Sequence, residues 1–212
     1  MFAGIISNEQ IKDVCRVAHN NSIEFYEDIS KARDIKETNE HFVNSHLANE
    51  LIKRHNYFVS FETIRSLVEL SITNDKEFLA KDREENESEK HRFDLVTWNG
   101  TKPSLVFEVK AIGNAESVLS DVGRLWLLQR RLGKFHKFKC VFMFSNWYIH
   151  ESEKSWNDRL ASLNGVEYKF DPFYFEGTSS KYYNSCSGVI IDYNDVGENY
   201  RVQLEALAPS KR

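Results

Sequence analysis

The stretch 93–110, FDLVTWNGTKPSLVFEVK, admits few structures. Its arms, residues 93–98 and 104–109, are rich in β-branched and aromatic residues, and Asn-Gly-Thr-Lys-Pro stands between them. Asn-Gly suits turn conformations, and a proline is tolerated where a strand begins. The pattern predicts a β-hairpin. Closing the loop between Trp98 and Ser104 sets Asp94 opposite Glu108 on one face, with β-carbons about 5 Å apart. Lys110, two residues beyond Glu108, shares that face. Two acids and a lysine thus converge at one end of a hairpin that is otherwise largely apolar.

A chain of 212 residues is long enough for one sizeable core, and 13% aromatic content favours a core containing a sheet. The formal net charge of −4 argues against a basic coat for nucleic acid but leaves room for a local basic groove. Cys15, Cys140 and Cys186 are far apart, odd in number and in no metal-ligand spacing, which predicts a reduced, cytoplasmic chain. The histidines form no zinc motif. The first ten residues read as neither signal peptide nor membrane span, and no later apolar run is long enough to cross a bilayer.

Ser7 and Gln10 form a capping box ahead of Ile11, Val14, Cys15 and Ala18, predicting a first helix of about three turns that ends near Asn20. A second helix is expected from Asn39 to about His55, with Val43, Leu47 and Leu51 on one face. Glu40 and Glu50 fall in phase with that stripe, and an unpaired carboxylate on a buried stripe is costly. Glu40 in the first turn would also suit the helix dipole, and Glu50 at the stripe's margin could stand in water. Residues 57–61 read as a strand, and 62–70 either prolong it or form a short helix. Residues 82–92 are almost wholly charged and read as a solvated loop.

After the hairpin a helix is expected over 115–131, with Val118, Val122, Leu125, Trp126, Leu128 and Leu132 facing inward. Its later part and the next loop carry Arg124, Arg130, Arg131, Lys134, Lys137 and Lys139, with no acid after Asp121. Such a one-signed group is what phosphate contacts need, or else a solvated face. Residues 140–145, CVFMFS, suit a fully buried strand, so strand, helix and return strand make a βαβ unit. Beyond them come a helix over 151–163 and strands at 166–170, 187–193 and 200–207. Trp147, Tyr148, Phe173, Tyr174, Phe175, Tyr182 and Tyr183 could stack on bases or hold a dimer, but more often such residues are core.

Two carboxylates at one strand end suit a hard divalent cation, and a lysine beside them could position water or neutralise charge on a phosphate. In order, the elements are a helix with Glu40, a strand, the strand of Asp94, the strand of Glu108-Val109-Lys110, a basic helix and a buried strand. Over residues 39–145 this resembles the PD-(D/E)XK nuclease superfamily, with its restriction-endonuclease-like αβββαβ core. The motif's second half stands intact as Glu108-Val109-Lys110, while Phe93 replaces the proline before Asp94. The resemblance implies an α/β fold with a mixed sheet flanked by helices and extra C-terminal strands. Residues 1–38 would be a helical extension and 146–212 an α+β elaboration of one domain. It further implies that Asp94 and Glu108 hold Mg²⁺ or its substitute Mn²⁺, with the Val109 carbonyl as a further ligand. Lys110 would serve the attacking water, and an acid of the first core helix, Glu40 before Glu50, would assist. The function implied is metal-dependent hydrolysis of nucleic acid, DNA before RNA, by a homodimer or with a partner subunit. The competing expectation is a nucleic-acid-binding or assembly module on the same fold that does not cut alone. A third is an α/β protein whose hairpin acids only form ion pairs.

Overall fold

The computed structural model describes residues 4–29, 39–73, 91–111, 115–147, 152–161, 170–177 and 184–193. Helices α1 (Asn8–Ile29) and α2 (Asn39–His55) lead into strand β1 (Phe58–Ile64) and helix α3 (Arg65–Thr73). The hairpin follows as β2 (Arg92–Asn99) and β3 (Lys102–Lys110), then α4 (Ala115–Leu132) and β4 (Lys139–Trp147). Helix α5 (Glu153–Ala161) and strands β5 (Asp171–Glu176) and β6 (Asn184–Asp192) complete the described chain. The strands form one mixed sheet in the order β1-β2-β3-β4-β6-β5. β1, β2 and β3 pair antiparallel, β4 runs parallel to β3, and β6 returns antiparallel beside β4.

Helices cover both faces. On one, Val14 and Ala18 of α1 and Val43, Leu47 and Leu51 of α2 cluster with Leu105, Phe107, Val109, Val141 and Met143. On the other, Val118, Val122, Leu125 and Trp126 of α4 cluster with Val106, Cys140, Phe142 and Phe144, and Val68 of α3 and Trp156 of α5 join them. The alternation along β3 and β4 is that of a sheet buried on both sides. Each of these fully buried side chains stabilises the fold by roughly 1.5–3 kcal/mol. Glu108 and Lys110 fall on the Val106 side, toward α4.

The capping box is present: the Ser7 amide donates to Gln10 Oε1 (2.9 Å) and the Gln10 amide to Ser7 Oγ (3.2 Å). Helix α1 does not stop near Asn20, however, but runs on to Ile29. His19 is buried and finds partners on the sheet, with Nδ1 2.8 Å from Ser145 Oγ and Nε2 3.1 Å from Asn184 Oδ1. The polar triplet that reads as a stop is thus an inward contact, and Ser22 and Ile23 beyond it are buried. Helix α2 keeps its expected bounds, and left-handed Asn56 (φ 53°) ends it with its amide on the Ile52 carbonyl (3.0 Å).

The hairpin register holds in its centre, where Leu95, Val96 and Thr97 pair with Phe107, Val106 and Leu105. Nearer the turn a bulge shifts it, and pairing continues to Asn99 and Lys102, so the loop is Gly100-Thr101 rather than 99–103. Gly100 supplies the positive φ (61°) that this tight turn requires. Residues 62–70 take both alternatives, since β1 extends to Ile64 and α3 begins at Arg65. Strand β5 is not among the strands the sequence predicts; it contains Pro172 and lies at the sheet's edge, where proline is tolerated. Of the expected strand at 166–170 only Phe170 is described, and it is not in a strand; the one at 200–207 lies outside the described residues. Phe173 belongs to the core, with Tyr174 and Phe175 packed against it, while Tyr148, Tyr182 and Tyr183 lie outside the described residues. All three cysteines are free and buried. Among the described residues no helix is long and apolar enough to cross a membrane.

Candidate active site

The β1–β2 ladder skips one pair, Glu62 and Asp94, although Phe61–Leu95 and Thr63–Phe93 are matched on either side. Glu62 sits at φ 48°, a left-handed conformation costly for a side-chain-bearing residue, and the strand bends there. The β2–β3 ladder also ends short of Asp94, at Leu95–Phe107. Asp94 fills the vacated ladder position with its side chain, and Oδ2 accepts the Val109 amide at 2.7 Å. A strand residue points its N–H and C=O to the same edge, so the Val109 carbonyl faces the same opening between β2 and β3.

Glu108 is 2% exposed on the α4 face. Its Oε1 lies 2.7 Å from His91 Nε2, and His91 in turn meets Phe93 edge-on (5.1 Å between centroids). Burial, with the guanidinium groups of Arg124 and Arg65, pushes His91 down to about 4, so its contact with Glu108 is a hydrogen bond of a neutral imidazole rather than an ion pair. Lys110 Nζ stands 3.5 Å from Glu40 Oε1 and 3.8 Å from Asp121 Oδ2. Asp121, 3% exposed, also pairs with Arg124 one turn along α4.

Burial pushes Asp94 up to about 7, with the charge of Glu108 adding to it. Burial likewise pushes Glu108 up to about 7; Asp121 works in the same direction, and Arg124 and Lys110 oppose it. The two carboxyls titrate as a pair. Burial and the charge of Asp94 raise Glu40, with Lys110 opposing. Burial alone would lower Lys110, but Glu40, Asp121, Asp94 and Glu108 outweigh it and hold the ammonium above the usual lysine value. Among the described residues, four carboxylates (Glu40, Asp94, Glu108, Asp121) therefore face two cations, Lys110 and Arg124. Fully ionised, this set lacks two positive charges, and one divalent cation would supply them. Two carboxylates and a carbonyl at one strand end suit a hard cation. Among the described residues no group of three or more His, Cys, Asp or Glu side chains forms a metal cage.

Of the expected site residues, the structure brings together Asp94, Glu108, Lys110, Glu40 and Arg124. Glu50 is elsewhere: it is buried rather than at a wet margin, and its Oε2 accepts from Arg54 Nε at 2.7 Å. The remaining basic residues gather toward the other end of the sheet. The loop after α4 is pinned there by His136, whose Nε2 lies 2.9 Å from the Pro103 carbonyl. Pro103 and Glu108 are about 17 Å apart along β3. Arg131 Nη1 reaches Glu69 at 3.2 Å, Arg130 lies over the Trp126 ring (5.3 Å), and Lys134 over Phe135 (4.9 Å). Lys137 is exposed, and Lys139 Nζ donates to Asn8 Oδ1 (2.6 Å). Sequence reasoning assigned no role to Asp121 or His91. Asp121 carried a usable signal, since it falls in phase with Val118, Val122 and Leu125, as Glu40 does on α2. His91 carried none, lying at the end of a charged run.

No protein-family model matches the chain, and neither a curated protein nor a solved structure matches it.

Proposed function

We propose that this protein is a Mg²⁺-dependent nuclease of the PD-(D/E)XK type that hydrolyses phosphodiester bonds of DNA. The observation that carries the reading is the convergence of two carboxylates at one strand end, half-buried Asp94 and buried Glu108, whose pKa values burial raises, with a lysine held charged beside them. The element order supports it: α2, β1, β2, β3, α4 and β4 follow the αβββαβ sequence, with α3 inserted between β1 and β2. Mn²⁺ would substitute for Mg²⁺, and Asp94, Glu108 and the Val109 carbonyl would hold the ion. When bound, the ion polarises a phosphodiester oxygen and acidifies water.

The chain's own groups supply the rest. Lys110 acts as a cation rather than a base, because the surrounding carboxylates raise its pKa; it donates to the attacking water or to the charged phosphate oxygen. Glu40 and Asp121, from helices on opposite faces of the sheet, fix the ammonium between them. His91 orients Glu108. Arg124, partly exposed and hydrogen-bonded to Asp121, could exchange that partner for a phosphate. Attack would form a bond from water oxygen to phosphorus and break the bond to the leaving ester oxygen, with the water's proton passing to solvent and the leaving oxygen taking one up from solvent. Arg130, Lys134 and Lys137, farther along α4 and in the loop that His136 pins near Pro103, would meet phosphates several nucleotides from the scissile one.

Pure protein incubated with plasmid, single-stranded DNA and RNA, with Mg²⁺, Mn²⁺ or EDTA, tests the reading. Metal-dependent cutting that falls on the order of 10³-fold in Asp94→Ala and Lys110→Ala is the expected result. Binding that survives both changes, with no cleavage under any metal, favours instead the non-cutting nucleic-acid-binding or assembly module.

A further inference from the structure

The loop after α4, residues 133–139, reads Gly-Lys-Phe-His-Lys-Phe-Lys and contains no acid. Its backbone is closely held. The Gly133 amide donates to the Gln129 carbonyl (2.8 Å), the Phe135 amide donates to that of Leu132 (2.9 Å), and His136 is fixed at Pro103. Buried Gln129 donates from Nε2 to the carbonyls of both Phe138 and Ile191, which ties the loop to the end of β6. A β-carbon at Gly133 would fall 2.5 Å from the ring of Tyr193, the residue that follows β6, so only glycine lets that ring lie against the end of α4. Two aromatic side chains thereby stand side by side at the surface: Phe135 is 50% exposed and Tyr193 36%. Cations accompany them. Lys134 Nζ lies 4.9 Å from the centre of the Phe135 ring, and Lys137 is exposed. Asp192, beside Tyr193, is paired in the β4–β6 ladder with Lys139.

We infer that this end of the molecule is a stacking platform for unpaired nucleic acid, in which Phe135 and Tyr193 each take a base and Lys134 and Lys137 take the phosphates. Charge selects a polyanion, and the rings select its strandedness. A duplex keeps its bases stacked inside and offers a surface mainly phosphates, so two protruding rings gain little from it. A single strand presents a π-face and a phosphate at every nucleotide, and stacking on aromatic side chains tolerates any base. An acidic protein would meet the lysines but bring no matching planes to the rings. Cα atoms two residues apart are at most about 7 Å from each other, so rings at Gly133 and at position 135 can serve neighbouring bases of one strand. The purpose of the platform rests on the nuclease reading, in which it selects DNA with an unpaired stretch several nucleotides from the scissile phosphate; the binding itself needs no metal.

Fluorescence anisotropy with the full chain in EDTA tests it, using labelled oligothymidylate of about 20 nucleotides, a blunt duplex of the same length and an abasic strand as probes. The expected result is oligothymidylate bound at least about tenfold more tightly than either other probe. Phe135→Leu and Tyr193→Leu keep an apolar side chain but remove the ring. Each should weaken oligothymidylate binding about fivefold or more while leaving duplex binding and the circular dichroism unchanged. Absence of oligothymidylate binding, a duplex or abasic strand bound as tightly, or leucine variants that bind like the wild type would overturn the inference. So would equal competition by poly-glutamate, which would point to an acidic protein instead. Metal-dependent cutting without this preference removes the platform and spares the nuclease reading; the preference without cutting does the reverse.

Discussion

Glu69 and Glu108 are both buried carboxylates beside α4, yet their surroundings are opposite. Glu69 Oε1 is gripped by Arg65 at 2.7 Å and Arg131 at 3.2 Å, so one acid has two guanidinium partners. Glu108 shares its end of the sheet with Asp94, Asp121 and Glu40, and among the described residues Lys110 and Arg124 are the lysine and arginine that answer those four acids. Burial penalises a charge unless partners replace its water. At Glu69 they do, and the acid ties α3 to α4. At Glu108 they do so incompletely, and burial raises the pKa of the pair to about 7. The first arrangement serves folding; among the described residues the second leaves an unmet demand for positive charge at a strand end.

The sharpest way to break this contrast is to neutralise one acid at each place. Glu108→Gln should lower metal-dependent cleavage by about 10³-fold while raising metal-free stability at pH 8 by roughly 1–3 kcal/mol, read from urea unfolding. Loss of both activity and stability would contradict the contrast. Glu69→Ala should act the other way on stability, costing about 3 kcal/mol because two poorly exposed guanidinium groups lose their shared acid. A cost below about 0.5 kcal/mol would mean that the ion pair is as weak as a surface one.

The pH effect reads the same pair. Native pKa values of about 7 for Asp94 and Glu108, against about 4 unfolded, mean that between those pH values the folded pair holds protons which the unfolded chain has released. Metal-free stability should therefore fall as pH rises from about 4 through 7, by up to roughly 8 kcal/mol for the two groups together, and then level off. Thermal unfolding of the wild type and of Asp94→Asn/Glu108→Gln between pH 5 and 8 checks this, and the variant's profile should be flatter. Smallest is the basic end. Reversing Arg130, Lys134 and Lys137 to Glu should weaken nucleic-acid binding and flatten its salt dependence. An unchanged slope would remove that end from the phosphate path.

Much of this was legible in the sequence wherever local pattern fixes geometry. Alternating β-branched residues and an Asn-Gly turn set the hairpin register from Leu95 to Thr97, and helical phase placed both Glu40 and Glu50 on the α2 stripe. Choosing between those acids required knowing how α2 docks, since one meets Lys110 and the other Arg54. The bend at Glu62 was not readable, because a left-handed non-glycine residue is imposed by neighbouring strands rather than by its own side chain. Nor was the spread of the basic residues. They are close in sequence, but a helix running back along the sheet leaves Arg124 at the site and carries Lys134 toward Pro103.

A calorimetric titration of Mg²⁺ or Mn²⁺ into the metal-free protein at pH 8 tests the central claim most directly, with Asp94→Asn/Glu108→Gln as the comparison. The site described here predicts a divalent ion bound by the wild type, with protons released when the titration is repeated near pH 6, and both signals lost in the variant. Equal binding in the two proteins, or none in the wild type, would contradict it.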